Sequence, residues 1–201
     1  HVTGAELASM LTAALAAAGE PEAEVYATFA KRGFARFAVG ELGQHMQLED
    51  PSVVVRVARD RRVAEASCTV LGEQAIADAI RTAARTAPSV PRDEGFPGFA
   101  GPDEPDPLAL ARHSERTARA SAEERVELLS PVFRRIRAAG LLATGVLDTT
   151  SRIEAVATSH GLTRSYESTL ATFKVWALES AGGSGAAGHG MCAHVDLGAL
   201  D

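Results

Sequence analysis

Three residues near the end of the chain carry side chains well suited to chemistry: His189, Cys192 and His194, in the string HGMCAH. Imidazole and thiolate are soft ligands, and such a group raises a metal reading. The spacing works against it. In an extended strand Cys192 and His194 share a face, whereas His189 lies across the pleat and beyond Gly190. A small metal-dependent enzyme built on these three residues stands as one reading of the chain, and metal analysis decides it.

The other reactive types are more scattered. Ser159 and His160 are adjacent, and neighbours in a turn do not form a nucleophile–base pair, because triads assemble from distant segments. The G-x-S-x-G elbow does not occur in the sequence. Cys68 closes a β-like run between Ser67 and Thr69 with no positive charge beside it to favour a thiolate, so it reads as a structural cysteine. Five glycines crowd into nine residues (Gly182, Gly183, Gly185, Gly188, Gly190), yet no Gly-Lys-Ser/Thr follows. A phosphate cradle needs that backbone to enter a helix N-terminus, so a flexible turn or seam is the better reading. The sequence contains no HExxH or HExxxH string.

Bulk properties exclude some classes. The net charge is −6 across 201 residues, which argues against a nucleic-acid partner. Arg134, Arg135 and Arg137 cluster, but Glu123, Glu124 and Glu127 precede them on one predicted helix, an order that suits the helix dipole. With 46% hydrophobic residues and a mean hydropathy near zero, a packed core is expected. Two distant cysteines do not read as a disulfide framework, and no apolar run is long enough for a membrane span. A soluble, cytoplasmic protein without membrane contact is the expectation.

The elements that must position these residues follow from periodicity. Residues 3–19 repeat apolar positions at Leu7, Met10, Leu11, Ala14, Leu15 and Ala18, with Thr3 and Glu6 forming a capping box and Gly19-Glu-Pro21 a stop. Strands are expected at 24–31 and 34–39 on either side of Gly33, at 44–48, at 53–59 beyond Asp50-Pro51, and at 63–69 after a turn at Asp60-Arg61. A second helix spans about 73–87 with an alanine-rich stripe. Residues 88–107 hold six prolines and three glycines and read as a linker or long loop. Phe96 and Phe99 within it either pin it down or ride in a mobile segment. A third helical region starts near Leu108, is capped at Ser121 with Glu124, and contains Pro131, which should bend it. Strands return at 141–149, 153–159, 166–178 and 191–197. The fold class is α+β: two blocks of mainly antiparallel sheet with packed helices, namely 1–87 and 108–201, joined by the Pro/Gly-rich stretch 88–107.

Several strings in this order resemble a known family. EVYATFAKRGFARFAVGELGQ, SVVVRVARDRRVAEASCT and IADAIRTAARTA, followed by SAEERVELLSPVFRRIRAAGLLATGVLDTTSRIEAVATSHGL and HVDLGALD, are similar to the N-terminal region of the TldD/PmbA (TldE) proteins, once called modulators of DNA gyrase. At the turn 158–162 the family's Asn is Thr158, while Ser159 and Gly161 are kept. The resemblance covers nearly the whole chain.

That resemblance implies a two-subunit assembly that encloses a chamber and cleaves unfolded or modified peptides. One subunit type is similar to zinc metallopeptidases and carries a histidine–glutamate motif in its C-terminal half; the other lacks those ligands. The sequence stops before that half, so no catalytic, cofactor-binding or metal position is carried onto any residue here. No cofactor is expected in this chain, zinc belonging only to the C-terminal half of the metal-bearing type, and the chain alone is expected to be inactive. Its partners would be a peptide substrate and a homologous subunit, as a dimer or heterodimer. The alternating run Tyr166–Leu178 is the candidate edge for strand addition by a peptide. Tyr166, Leu170, Trp176 and Leu178 fall on one parity, and Phe173 and Val175 on the other. The rival reading is a stand-alone binding or scaffolding module without enzymatic activity.

Overall fold

A computed structural model describes residues 2–39, 41–103, 112–179 and 185–200. Helix α1 (Gly4–Ala18) is followed by strands β1 (Ala23–Ala38), β2 (Glu41–Arg59) and β3 (Arg62–Cys68), then α2 (Glu73–Thr86). After α3 (Glu115–Ala118) and α4 (Ala122–Ala138) come β4 (Leu141–Thr158), β5 (Thr163–Glu179) and β6 (Ala187–His194). The α+β class read from the sequence is the observed one. The strands of both sequence blocks join in a single antiparallel sheet of order β3-β2-β1-β4-β5-β6, two meanders meeting at β1 and β4.

Strands expected in pieces are continuous. β1 runs through Gly33, β2 through Asp50-Pro51, and β4 through Thr150–Arg152. Pro51 is tolerated because the β2–β3 ladder begins only at Val53, so a missing donor there forfeits no bond to β3. The turn at Asp60-Arg61 holds both residues at positive φ, 52° and 58°, as a two-residue hairpin requires.

Contacts divide the chain into two units along other lines than the sequence blocks, because each long strand gives one part to each unit. Unit 1 comprises His1–Ala30, Asp50–Leu110 and Ile153–Glu167. Thr3 caps α1 through Glu6 as expected, and Gly19 ends it at φ 69°. The buried face of α1 (Leu7, Leu11, Ala14) and that of α2 (Ile76, Ile80, Ala83) share a core with Val25, Val53, Val55 and Ile153. Alanine on these faces lets helix and sheet approach closely. The described part of the Pro/Gly-rich stretch is tied into this unit. The amide of Asp93 donates to the Arg61 carbonyl (2.8 Å), the Phe99 amide to the Glu22 carboxylate (2.8 Å), and the Thr158 hydroxyl to the Ala100 carbonyl (2.8 Å). Phe96 and Phe99 meet edge to face at 5.1 Å. The expected start of a helix near Leu108 lies outside the described residues.

Unit 2 comprises Lys31–Glu49, Ala111–Arg152 and Ser168–Asp201. Ser121 caps α4 by accepting the Glu124 amide (3.1 Å), while the Glu124 carboxylate turns to Arg116 (2.7 Å) instead of closing a capping box. Phe37 sits at the centre of the core, with Phe133 edge-on at 5.0 Å and Phe173 stacked at 6.2 Å. Gly145 makes room for that ring, since a Cβ there would overlap both Phe37 and the Lys174 carbonyl oxygen. Past β6 the chain is held to α3: Thr117 Oγ1 donates to the Val195 carbonyl and accepts the Leu197 amide, both at 2.8 Å. The Ser114 hydroxyl donates to Asp196 (2.7 Å) and, with the Gly198 amide, holds that carboxyl below its ordinary range.

Candidate functional site

Strand alternation sorts the side chains of unit 2 into two sets. Odd-numbered residues of β1 and β4, such as Ala35, Phe37, Ala143 and Leu147, are buried under the helices. Even-numbered residues leave the opposite face, on which no helix packs among the described residues. On β5 the parity expected from the sequence holds: Phe173 and Val175 pack against the core, whereas Leu170, Trp176 and Leu178 are 43–47% exposed. Leu42, Met46 and Leu48 on β2 share the exposed parity, as does Leu142 on β4. Met191 on β6, opposite Lys174 in the ladder, is 61% exposed. Trp176 lies across from His189, ring centroids 4.7 Å apart. Exposed large apolar residues of one parity on four strands mark a contact surface, because such groupings are costly to leave in water.

Charges frame this surface. Asp148 on β4 is half-buried, and that burial pushes its carboxyl above the ordinary value; Lys174 and Arg32 partly offset the effect. The Arg36 guanidinium lies over the Phe34 ring at 5.4 Å. Backbone is available as well. Among the described residues the β3 ladder pairs β2 only from Val53 to Arg59 and β6 is the last strand of the sheet, so there β2 before Val53 and the outer side of β6 are edges. Chemically, the surface can take apolar side chains on its face and an extended backbone along an edge.

The structure relocates the expected edge. From Ala171 to Leu178, β5 is paired with β6 on one side and neighbours β4 on the other. That part of the run is therefore interior, because the residues after the glycine run supply one more strand than a bare edge would allow. Gly188 and Gly190 belong to that strand, opposite Ala177 and Val175, while Gly182 and Gly183 lie outside the described residues.

The other candidates are accounted for one by one. Cys192 faces Phe173 and helps line an apolar cavity of about 450 Å³ with Leu128, Leu147 and Leu197. His194 accepts the Asp196 amide at Nδ1 (2.9 Å), and His189 stands against Trp176. These residues do not fit a zinc site: among the described residues no three His, Cys, Asp or Glu groups are placed to share a metal. Ser159 Oγ donates to the Pro21 carbonyl (2.9 Å) and accepts the Ala23 amide (3.0 Å), and His160 meets Glu22 at 3.0 Å. Both pin the β4–β5 turn. Cys68 is a free thiol whose Sγ is 3.7 Å from the Val70 carbonyl.

Sequence reasoning missed Arg125. This residue in the first turns of α4 is 1% exposed. Its Nη1 donates to the Ala120 carbonyl and to Thr149 Oγ1, and its Nη2 lies against His45 Nε2, each at 3.0 Å. A guanidinium only donates, so His45 Nε2 is the acceptor in this contact. Gly33 is the platform: a Cβ built there would stand 2.6 Å from the guanidinium atoms. The available signal was a glycine inside a strand run, which marks close approach as readily as a break.

Comparison with known proteins places the fold. No protein-family model matches the chain, and no curated protein does. Solved structures do. TldE from Thermococcus kodakarensis superposes with a TM-score of 0.81 at 19% identity, over 96% of this chain and 44% of that one. A candidate modulator of DNA gyrase from Thermotoga maritima gives 0.73 at 15% identity, over 99% and 45%. A third, from Bacteroides thetaiotaomicron, gives 0.71 at 13% identity, over 100% and 47%. The resemblance read from the sequence is thus met at the level of the fold: this chain has the architecture of TldE-like structures, and spans less than half their length.

Proposed function

We propose that this chain is a non-catalytic part of a TldD/PmbA-like assembly that binds and encloses unfolded or modified peptides for proteolysis by a metal-bearing half or partner. The observation that carries the reading is the face of unit 2 opposite its core, where Leu42 and Met46 on β2, Trp176 on β5 and Met191 on β6 stand 43–61% exposed, and where, among the described residues, β2 before Val53 and the outer side of β6 are edges. Unfolded peptides differ from folded proteins in presenting apolar side chains and unpaired backbone together, and this surface matches both. The TldE-like fold supports the family context. An assembly with a homologous subunit and zinc held elsewhere belong to the same proposal.

The test uses the intact assembly and an unfolded apolar peptide. Replacing Leu42, Met46 and Trp176 together by serine is expected to weaken peptide binding at least about tenfold, a loss of ~1.4 kcal/mol, while global stability shifts by less than about 0.5 kcal/mol per site. An N-methylated form of the peptide, which lacks backbone donors, should bind more weakly than its parent. Unchanged binding in both experiments overturns the proposal. Tight binding with no hydrolysis by the intact assembly favours the stand-alone binding module instead.

A further inference from the structure

Helix α4 turns two faces inward. One, through Leu129 and Ile136, is buried in the core of unit 2. The other is the stripe Leu128, Pro131, Val132 and Arg135, whose i, i+3, i+4, i+7 spacing puts the four side chains on one side of the helix. That stripe lines the apolar cavity of about 450 Å³, whose remaining walls come from β4, β5, Cys192 on β6 and the segment 197–200. The volume falls within the about 300–1,000 Å³ typical of small-ligand sites. Leu147, 2% exposed, marks its closed end, and Arg135, which is exposed, puts a charge at its mouth.

The polar groups of the lining narrow the guest. Arg135 is the one charged residue among the lining residues, and no carboxylate among the described residues pairs with its guanidinium. The amides of the segment after β6 are already engaged: Leu197 donates to Thr117 Oγ1 (2.8 Å), Gly198 to the Asp196 carboxylate (2.6 Å) and Ala199 to the Asp196 carbonyl (3.1 Å). Pro131 has no amide proton to give. A guest with polar atoms along its length, such as a peptide segment, therefore finds none of these amides free. A guest with one anionic end and an apolar remainder is matched throughout. The planar guanidinium suits a carboxylate by a two-point contact, and the apolar body displaces water from leucine, valine and phenylalanine side chains.

We propose that this cavity binds a medium-chain carboxylate, its alkyl chain between α4 and the segment 197–200 and its carboxylate on Arg135. The site is independent of the peptide-binding proposal, because Leu147 and Phe173 lie on the core side of the sheet, away from Leu42, Met46 and Trp176.

The experiment is calorimetric titration of the purified chain with hexanoate, octanoate and decanoate. Affinity is expected to rise about fourfold per added methylene. Arg135→Met, at an exposed position, should weaken decanoate binding at least about tenfold and leave 1-decanol binding unchanged. Val132→Trp, which fills the cavity from a half-buried position on α4, should abolish both. Cys192 supplies a second readout, since the sequence holds only one other cysteine, Cys68, and that one lies in unit 1. Decanoate should slow maleimide labelling of Cys192 and not of Cys68. Absence of binding, an affinity indifferent to chain length, decanol binding as tightly as decanoate, or equal protection of both thiols overturns the proposal. So does preference for a short peptide ending in leucine over decanoate, which would make the cavity a subsite for chain ends.

Discussion

In unit 1 the polar side chains that leave the sheet on even-numbered positions are bonded to one another. The Tyr26 hydroxyl donates to Glu154 (2.5 Å), and Arg56 pairs with Glu24 while its guanidinium lies 5.3 Å from the Phe99 ring. In unit 2 the same parity carries Leu, Met and Trp, exposed. The cores differ too. Unit 1 fills the space beneath α1 and α2 with alanine and valine, whereas unit 2 is built around Phe37, Phe133 and Phe173 and admits a buried arginine. Surface ion pairs contribute little to stability, so the polar face of unit 1 mainly keeps it wet and self-contained. An apolar face exposed at equivalent positions has no such explanation from folding alone, and it points to a ligand or partner.

This contrast predicts loss of bulk to be the large injury at the aromatic centre of unit 2, and added bulk to be the injury wherever backbones approach closely. Phe37→Ala should cost about 3–5 kcal/mol, because removing the central ring leaves a void that Phe133 and Phe173 cannot close. Denaturant unfolding measures it, and a loss under 1 kcal/mol would mean that unit 2 repacks freely. Next in size, Ala83→Leu on α2 and Gly145→Ala on β4 should each cost about 1–3 kcal/mol by overpacking. In the first case the tight helix–sheet spacing resists; in the second a backbone carbonyl does. Tolerance of Ala83→Leu would erase the distinction between an alanine-spaced and an aromatic core.

The smallest effect concerns Asp148. Its folded carboxyl is raised above 3.8 chiefly by burial, so the folded state holds the proton more firmly than the unfolded state does. The ionised group therefore destabilises above its folded pKa, and the penalty is relieved as pH falls through that value toward 3.8. Asp148→Asn should stabilise at neutral pH, with an advantage that shrinks on acidification. Parallel Tm–pH curves for the two proteins would remove burial as the cause.

Much of the scaffold was legible from local rules. Thr3 and Gly19 bounded α1, Asp60-Arg61 placed the β2–β3 turn, and Ser121 started α4, because caps and turns depend on groups within four residues of each other. Gly33 and Pro51 misled for the same reason: locally they read as breaks, and only a guanidinium from α4 and the limited reach of the β3 ladder explain why the strands continue. Arg125 was illegible because its burial is a property of three elements distant in sequence. No helix among the described residues is long and apolar enough to cross a membrane, in keeping with the sequence.

By itself, then, the chain's order of residues determined the α+β class, the helix ends, the alternation that exposes Leu170, Trp176 and Leu178, and a resemblance that the fold bears out. These are short-range consequences of capping, turn chemistry and side-chain period. Tertiary structure alone decided that β5 is flanked by β6, that His189, Cys192 and His194 part company, and that a buried arginine faces lysine and glutamine across a cavity. Strand neighbours and buried charges are set by which segments meet, and no local rule encodes that.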